Sequence, residues 1–364
     1  TSANLSGQPI IFDDVEIKKF GVPVLWFNRK IARPIEDSVV RIIAEKPQII
    51  RRAKGFAPLP VSLKTNKKIL AMGGDLKACF AICDGENAFL SPYIGDLEER
   101  KTFDLYKKTL QEYFSLFDFF PEIIVCDLHP AYISTQYAEN FSKEFGLPLE
   151  KVQHHKAHIA SAMAEFNLEN CIGVSYDGTG YGDDGNIWGG EIFSIKNNEF
   201  IRHWHFPYVK YLKGCEQDAQ LVSFAHHPNF APEIVRKALN CDINTYYSSS
   251  VGRLFDKFGF ENYGFRYNSF EGEIANKIEQ SAQYNNDVID FFDKISEITA
   301  KQCNETFLKT GINNIVLTGG CFQNKILIEK IKENLYNFNI YINQKVPVND
   351  GGICLGQAYI VRNL

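Results

Sequence analysis

Short apolar runs alternate along this chain with longer stretches of helical spacing, and several of the runs close on Gly or Asp. Residues 69–73 and 78–83 are two such runs, of the length of buried strands, joined by the turn Gly74-Asp75-Leu76-Lys77. Residues 87–91 supply a third strand. The stretch 98–117, rich in charge and aromatic residues, predicts a helix, and 123–126 a buried strand that runs into the loop Asp127-Leu128-His129-Pro130. A helix over 134–145, a strand over 149–153 and a helix from near His154 to 166 follow. From Cys171 the plan starts again, with a strand over 171–176, a turn at Asp177-Gly178-Thr179-Gly180, and strands over 187–195 and 200–206. Helices fill 217–310, one of them over 270–283. A strand over 315–317, a Gly319-Gly320 turn, a helix over 323–336, a strand over 339–342 and a last helix from about Gly351 complete the pattern. Before residue 60 only 22–27 reads as a strand.

Two rounds of strand, turn and strands followed by helix and strand predict a duplicated α/β fold with a cleft between its halves, the layout of the actin, Hsp70 and sugar-kinase superfamily. The 364 residues, 45% hydrophobic, suffice for a large core and for two domains at the usual ~100–200 residues each. A net charge of -5 and a pI near 6.0 give no general attraction to nucleic acid or anionic membrane, so neither partner is expected. An apolar run of ~18 residues and a charged-then-apolar leader are both missing, which predicts a cytoplasmic protein. Nine cysteines stand singly, without a C-x-x-C pair, and read as reduced core thiols.

The candidate chemistry gathers in residues 152–191. His154 and His158 stand at i and i+4, so a helix puts both rings on one face. Two neutral imidazoles on one turn suit zinc, iron or another transition ion. Such a pair needs oxygen partners, and Asp177, at the end of an apolar run, is the nearest candidate; the plain alternative is two satisfied histidines at a helix start. Gly73-Gly74, Gly178 with Gly180, and Gly319-Gly320 are strand ends where a missing Cβ lets backbone N–H groups approach an anion. The last opens a helix, whose N-terminus favours a phosphate, with ordinary turn chemistry as the alternative at each. Glu271 is either a helix-start carboxylate or a ribose ligand, and Asp350, just before the last helix, reads on its own stretch as an N-cap.

The order TSANLSGQP, IARPIEDSVVRI and PQIIRRAKGFAPLP resembles the closing segment and linker of a YrdC-like domain. Together with AMGGDLKACF, SPYIGDLEE, VCDLHPAYISTQYA, VQHHKAHIASAMAE, DGTGYGDDGNIWGGE, SSSVGRLFDKFG, FEGEIANKIE, LTGGCFQNKIL and NDGGICLGQA, it resembles the HypF family of carbamoyltransferases that mature nickel-iron hydrogenases. The resemblance implies the end of a YrdC-like domain and linker over 1–60 and a TsaD-like domain over 61–364, with halves of about 67–170 and 171–364. It implies that Ser2, Asn4 and Ser38 line an ATP and carbamoyl-adenylate pocket. It further implies that His154, His158, Asp177 and Asp350 hold one divalent metal, zinc or iron, the first three being catalytic. Lys77, Gly252, Arg253, Glu271, Gly319, Gly320 and Asn324 would surround the nucleotide, with Mg²⁺ as a companion ion of ATP. The rest of the YrdC-like domain, an acylphosphatase-like domain and paired zinc fingers are expected upstream of Thr1, and residues 1–364 alone are not expected to make the adenylate. Two departures stand out: Lys156 replaces a third histidine found in many relatives, and 212–218 lacks the family's Pro-Gly-Gly-Asp run on the second-substrate face.

The reaction implied is transfer of a carbamoyl group from carbamoyl-adenylate to the C-terminal cysteine thiol of a HypE-like acceptor protein. An O-carbamoyltransferase acting on a small alcohol would share the metal and nucleotide sites and differ in its acceptor. A nucleotide-binding scaffold would bind without transferring. A kinase or chaperone of the same fold would carry Mg²⁺ on carboxylates and water, which His154 and His158 argue against.

Overall fold

The structure is a computed structural model that describes residues 3–4, 9–26 and 28–364, so Ser2 lies outside the described residues. It divides into two compact units, the first made of Thr1–Arg41, Pro47–Val152 and Gln344–Leu364, the second of Ile42–Lys46 and Gln153–Asn343. Near the N-terminus are the short helix α1 (Asp14–Ile17), capped by the Asp13 carboxylate, and a two-stranded hairpin of β1 (Val39–Ile43) and β2 (Lys46–Arg51).

The first unit continues with β3 (Val61–Ser62), β4 (Ile69–Ala71), β5 (Ala81–Asp84), β6 (Asn87–Leu90), α2 (Arg100–Leu116), β7 (Ile123–Asp127), α3 (Ile133–Phe145) and β8 (Leu149–Val152). Its sheet has the order β3-β6-β5-β4-β7-β8. The pairs β4/β7 and β7/β8 are parallel, and β4/β5, β5/β6 and β3/β6 antiparallel. Helix α2 brings Tyr106, Leu110 and Tyr113, spaced as one helical face, into the cluster that holds Leu70, Phe80 and Ile82. The two tyrosine hydroxyls reach that core only because each finds an acceptor, Tyr106 at Met72 O (2.7 Å) and Tyr113 at Leu90 O (3.2 Å).

The C-terminal helix, Ile353–Val361, belongs to this unit and is tied to the end of β4. Gln357 is fully buried; its Oε1 accepts Gly73 N–H at 2.8 Å and its amide donates to Gly73 O at 3.1 Å. Gly73 has φ +73°, and a Cβ there would lie 2.1 Å from Cys79 O, so only glycine fits. The Gly73 amide is therefore bound within the protein, contrary to its expected availability to an anion.

The second unit comprises α4 (His154–Phe166), β9 (Asn170–Tyr181), β10 (Ile187–Lys196), β11 (Glu199–His205), β12 (Val209–Leu212), α5 (Ala219–His226), α6 (Glu233–Asn240), β13 (Thr245–Ser248), α7 (Val251–Tyr263), α8 (Glu273–Ser281), α9 (Asn286–Thr310), β14 (Asn314–Thr318), α10 (Lys325–Asn334) and β15 (Asn339–Tyr341); the C-terminal helix is α11. Seven strands form its sheet, in the order β12-β13-β10-β9-β14-β15 with β11 paired to β10. Helix α4 is alanine-rich, buries Ala157, Ala160, Ala162 and Met163, and sits close on β9. A Cβ at Gly173 would lie 2.5 Å from Ile159 Cδ1.

Several expectations are corrected. Residues 22–26 form no strand: Pro23 has no N–H to give a ladder, and Leu25 is 98% exposed. Phe27, the end of that run, lies outside the described residues. Residues 177–180 are not a turn but the continuation of β9, whose reversal comes after Tyr181. Strand β13 interrupts the region read as helical over 217–310, and β12 precedes it unread. Helix α8 begins at Glu273, after Gly272 in the left-handed region (φ 75°), so Glu271 stands before the helix and not on it. Within the units, α4 packs with β9 and β14, and α11 with β4 and β7.

Candidate metal centre

Gln153 starts the histidine helix. Its side-chain Oε1 accepts Lys156 N–H at 3.0 Å, and its amide donates to Tyr181 O at 3.0 Å, pinning the first turn of α4 to the end of β9. With the amide oriented by those two bonds, its NH₂ also faces His155 Nδ1 at 3.0 Å, which leaves the proton of that imidazole on Nε2. His155 is fully buried, and burial pushes its pKa well below the ordinary range, so it is neutral. It is a packing residue: a Cβ at Gly180 would lie 2.3 Å from its Cε1.

His154 and His158 meet Asp177. Their Nε2 atoms lie 3.8 and 2.9 Å from Asp177 Oδ2, and the three ligand atoms are within 4.8 Å of one another. The imidazole side chains are 1% exposed and the carboxylate 12%. Two donors on one ion at the usual ~2.1 Å stand about 3.0–3.4 Å apart, so the spacing fits a single divalent ion with little movement. Burial opposes ionisation of Asp177, yet its contacts with His154 and His158 hold it well below the ordinary carboxylate range. Two neutral-capable imidazoles and an ionised carboxylate are the donor set of a borderline transition metal. Lys156 takes no part, since its ammonium is 2.6 Å from Asp183.

The remaining expected residues divide between the units. Beside Asp177 lie Gly252, where a Cβ would be 2.8 Å from Gly178 Cα, and Gly320, where it would be 2.9 Å from Asp177 Oδ1. Gly319 has φ +100° and no room for a Cβ, which would meet Tyr176 O at 2.3 Å. Arg253 is close to Gly178 and pairs with Asp256 at 3.0 Å; burial works against its charge, but Asp256 holds its pKa above the ordinary value. Ser250 caps α7 at Arg253 N–H and reaches Gly178 O at 2.6 Å, locking the helix start to β9. Asn324 caps α10 by accepting Leu327 N–H at 3.0 Å, and Glu271 is exposed.

In the first unit, half-buried Lys77 has φ 48° and donates its N–H to Asp96 at 2.8 Å. Ser38 has a structural job, donating to Lys54 O and accepting Ala53 N–H, both at 2.9 Å; Asn4 is half-buried. Asp350 is buried at the start of the 3-10 turn Asp350–Gly352, but the capping role read for it falls to Asn349, whose side chain accepts Gly351 N–H at 3.1 Å.

Sequence reasoning passed over Glu191, Arg202 and Gln153. Glu191 is a fully buried carboxylate on β10, paired with Arg202 at 2.6 Å, and an acid inside the run Ile187–Lys196 was the signal available for it. Arg202 lies 3.9 Å over the Trp188 ring.

The chain matches two family models: the HypF Kae1-like domain over residues 64–165, and the second subdomain of the carbamoyltransferase Kae1-like domain over 173–293 and 286–357. It is 33% identical to the carbamoyltransferase HypF of Synechocystis sp., over 98% of this chain and 56% of that protein. The same identity holds to the probable carbamoyltransferase HypF of Methanocaldococcus jannaschii, over 100% and 56%. The chain thus spans somewhat more than half the length of these relatives. Among solved structures it is similar to full-length HypF in the phosphate- and nucleotide-bound form, with TM-score 0.92 and 35% identity over 100% of this chain and 66% of that one. T. kodakarensis HypF gives the same TM-score at 26% identity, over 99% and 56%. With these models covering most of its length and relatives 33% identical over nearly all of it, the chain belongs to the HypF carbamoyltransferase family and carries that family's Kae1-like domain.

Proposed function

We propose that this chain transfers a carbamoyl group from carbamoyl-adenylate to the C-terminal cysteine thiol of a HypE-like acceptor in nickel-iron hydrogenase maturation. The observation that carries the reading is the convergence of the buried side chains of His154, His158 and Asp177 in a HypF-family chain. These three residues, with Asp350 as fourth ligand, would hold one divalent ion, zinc or iron. The candidacy of Asp350 gains from Asn349 having taken over the cap. A bound ion supplies Lewis acidity and a template, worth several kcal/mol of charge stabilisation.

The chain's own residues do the rest. Gly178, Gly252, Gly319 and Gly320 keep side chains away from the neighbourhood of Asp177, so backbone amides can approach the phosphate of the adenylate. Arg253, held by Asp256, adds a fixed positive charge there. Lys77, Asn324 and Glu271 complete the nucleotide contacts in this reading, with Mg²⁺ accompanying ATP, and Asn4, Ser38 and Ser2 belong to the YrdC-like pocket that delivers the adenylate. In the transfer, the acceptor thiol loses its proton to solvent, its sulfur bonds to the carbamoyl carbon, and the bond from that carbon to the phosphate oxygen breaks as AMP leaves. The buried cysteines of this chain are not nucleophiles: burial pushes Cys79 and Cys126 up to about 12.

The test supplies preformed carbamoyl-adenylate and reads AMP release with and without an acceptor ending in cysteine. Release should depend on that thiol, and its replacement by serine should remove the dependence. AMP release indifferent to the protein thiol but stimulated by a small alcohol would replace the acceptor assignment, and adenylate binding without any release would make the chain a scaffold.

A further inference from the structure

Asp177 sits where the ladder between β9 and β10 breaks. Gly180 pairs with Trp188 and Tyr176 with Gly190, so Asp177, Gly178 and Thr179 stand opposite Gly189 alone. Such a bulge re-aims a side chain and leaves backbone N–H groups without ladder partners, which a buried site must satisfy by other means. On the bulged strand Gly178 N–H turns to Asp177's own Oδ1 at 2.7 Å, and on β10 a single glutamate oxygen serves two amides. Glu191 Oε1 accepts the N–H groups of Gly189 and Gly190, both at 3.2 Å, and the hydroxyl of Ser249. The next residue, Ser250, bonds to the carbonyls of Asp177 and Gly178 on the bulged strand. No side chain fits between the strands, since a Cβ at Gly189 would lie 2.7 Å from Asp177 O and one at Gly190 2.5 Å from Ser249 O.

We propose that Glu191 is the positioning residue of the metal centre, its Oε1 fixing the bulge that aims Asp177 at His154 and His158. The inference rests on the metal reading above. Removing the acceptor would leave two buried amides unsatisfied beside the bulge, and a bulge free to relax would carry Asp177 away from the imidazoles. The rival role for Glu191 is that of a plain partner for Arg202, which its other oxygen, Oε2, meets at 2.6 Å. Two conservative variants separate the roles. Glu191→Asp keeps the charge for Arg202 but shortens the reach by one methylene, whereas Glu191→Gln keeps an acceptor oxygen at full reach and gives up the charge.

Each variant of the full chain is titrated with Co²⁺, reading the dissociation constant and the visible d–d absorption, with circular dichroism reporting the fold. Glu191→Asp should bind Co²⁺ about 10–100-fold more weakly with an altered d–d band, as expected for a lost outer-shell contact, while Glu191→Gln stays within about threefold of the parent. Weaker binding by Glu191→Gln than by Glu191→Asp, or parental affinity and spectrum in both, would overturn the inference while leaving the metal reading intact. A parent chain that takes up no Co²⁺ would instead overturn the metal reading and this inference with it.

Discussion

Gly180 shows how one residue can set the geometry of a site that it does not itself form. It lies under the His155 ring, and any Cβ there would collide with imidazole atoms at 2.3 and 2.8 Å. His155 cannot yield, because Gln153 holds its Nδ1 and Trp188 packs against its ring with centroids 6.3 Å apart. Its two neighbours on the same helix, His154 and His158, would move with it. Gly180→Ala should therefore destabilise the chain by about 1–3 kcal/mol, the usual range for overpacking, and lower its metal content at the same time. Thermal unfolding checks the first effect and elemental analysis the second; an unchanged melting temperature would contradict the packing argument. Gly320 makes a parallel case, with Asp177 Oδ1 only 2.9 Å from where its Cβ would be.

At the level of elements, α5 illustrates an acid-sensitive contact. His226, in its last turn, has Nε2 2.8 Å from the Tyr211 hydroxyl on β12, and burial lowers its pKa from 6.5 to about 4. The unfolded chain therefore binds this proton more readily than the folded one, so the contribution is full above about pH 6.5 and lost as the pH falls to about 4. Unfolding midpoints should decline through that window, and His226→Gln should flatten the decline; an equal slope in both proteins would show that other groups cause it. The same region marks the limit of what the sequence reveals. The long or strongly periodic elements α2, α3 and α4 were readable from spacing, as was the i, i+4 histidine pair. Strands β12 and β13 have four residues each and pair with one another, so their period is too short to stand out from flanking helices. Residues 177–180 misled for another reason. Gly180 is required by a close neighbour, the His155 ring, rather than by a change of direction, and sequence alone does not tell these causes apart. Glu191 was passed over because an acid inside a strand is assigned a role only once its donors are visible, Gly189, Gly190 and Ser249 at one oxygen and Arg202 at the other.

For the whole molecule, the chain enters the second unit briefly over Ile42–Lys46 and again over Gln153–Asn343, and the residues at the start of this second, long passage carry the histidine pair. Net charge and pI place no demand on a polyanionic partner, and among the described residues no helix is long and apolar enough to cross a membrane. The proposed transfer depends on the ion that His154, His158 and Asp177 are arranged to receive. Elemental analysis of the purified chain beside its His158→Ala and Lys156→Ala variants tests it most directly. One transition-metal ion per chain is expected in the parent and in Lys156→Ala, whose ammonium serves Asp183, and none in a folded His158→Ala. Full metal retention in His158→Ala, or a parent chain that takes up no metal from a loading solution, would contradict the account.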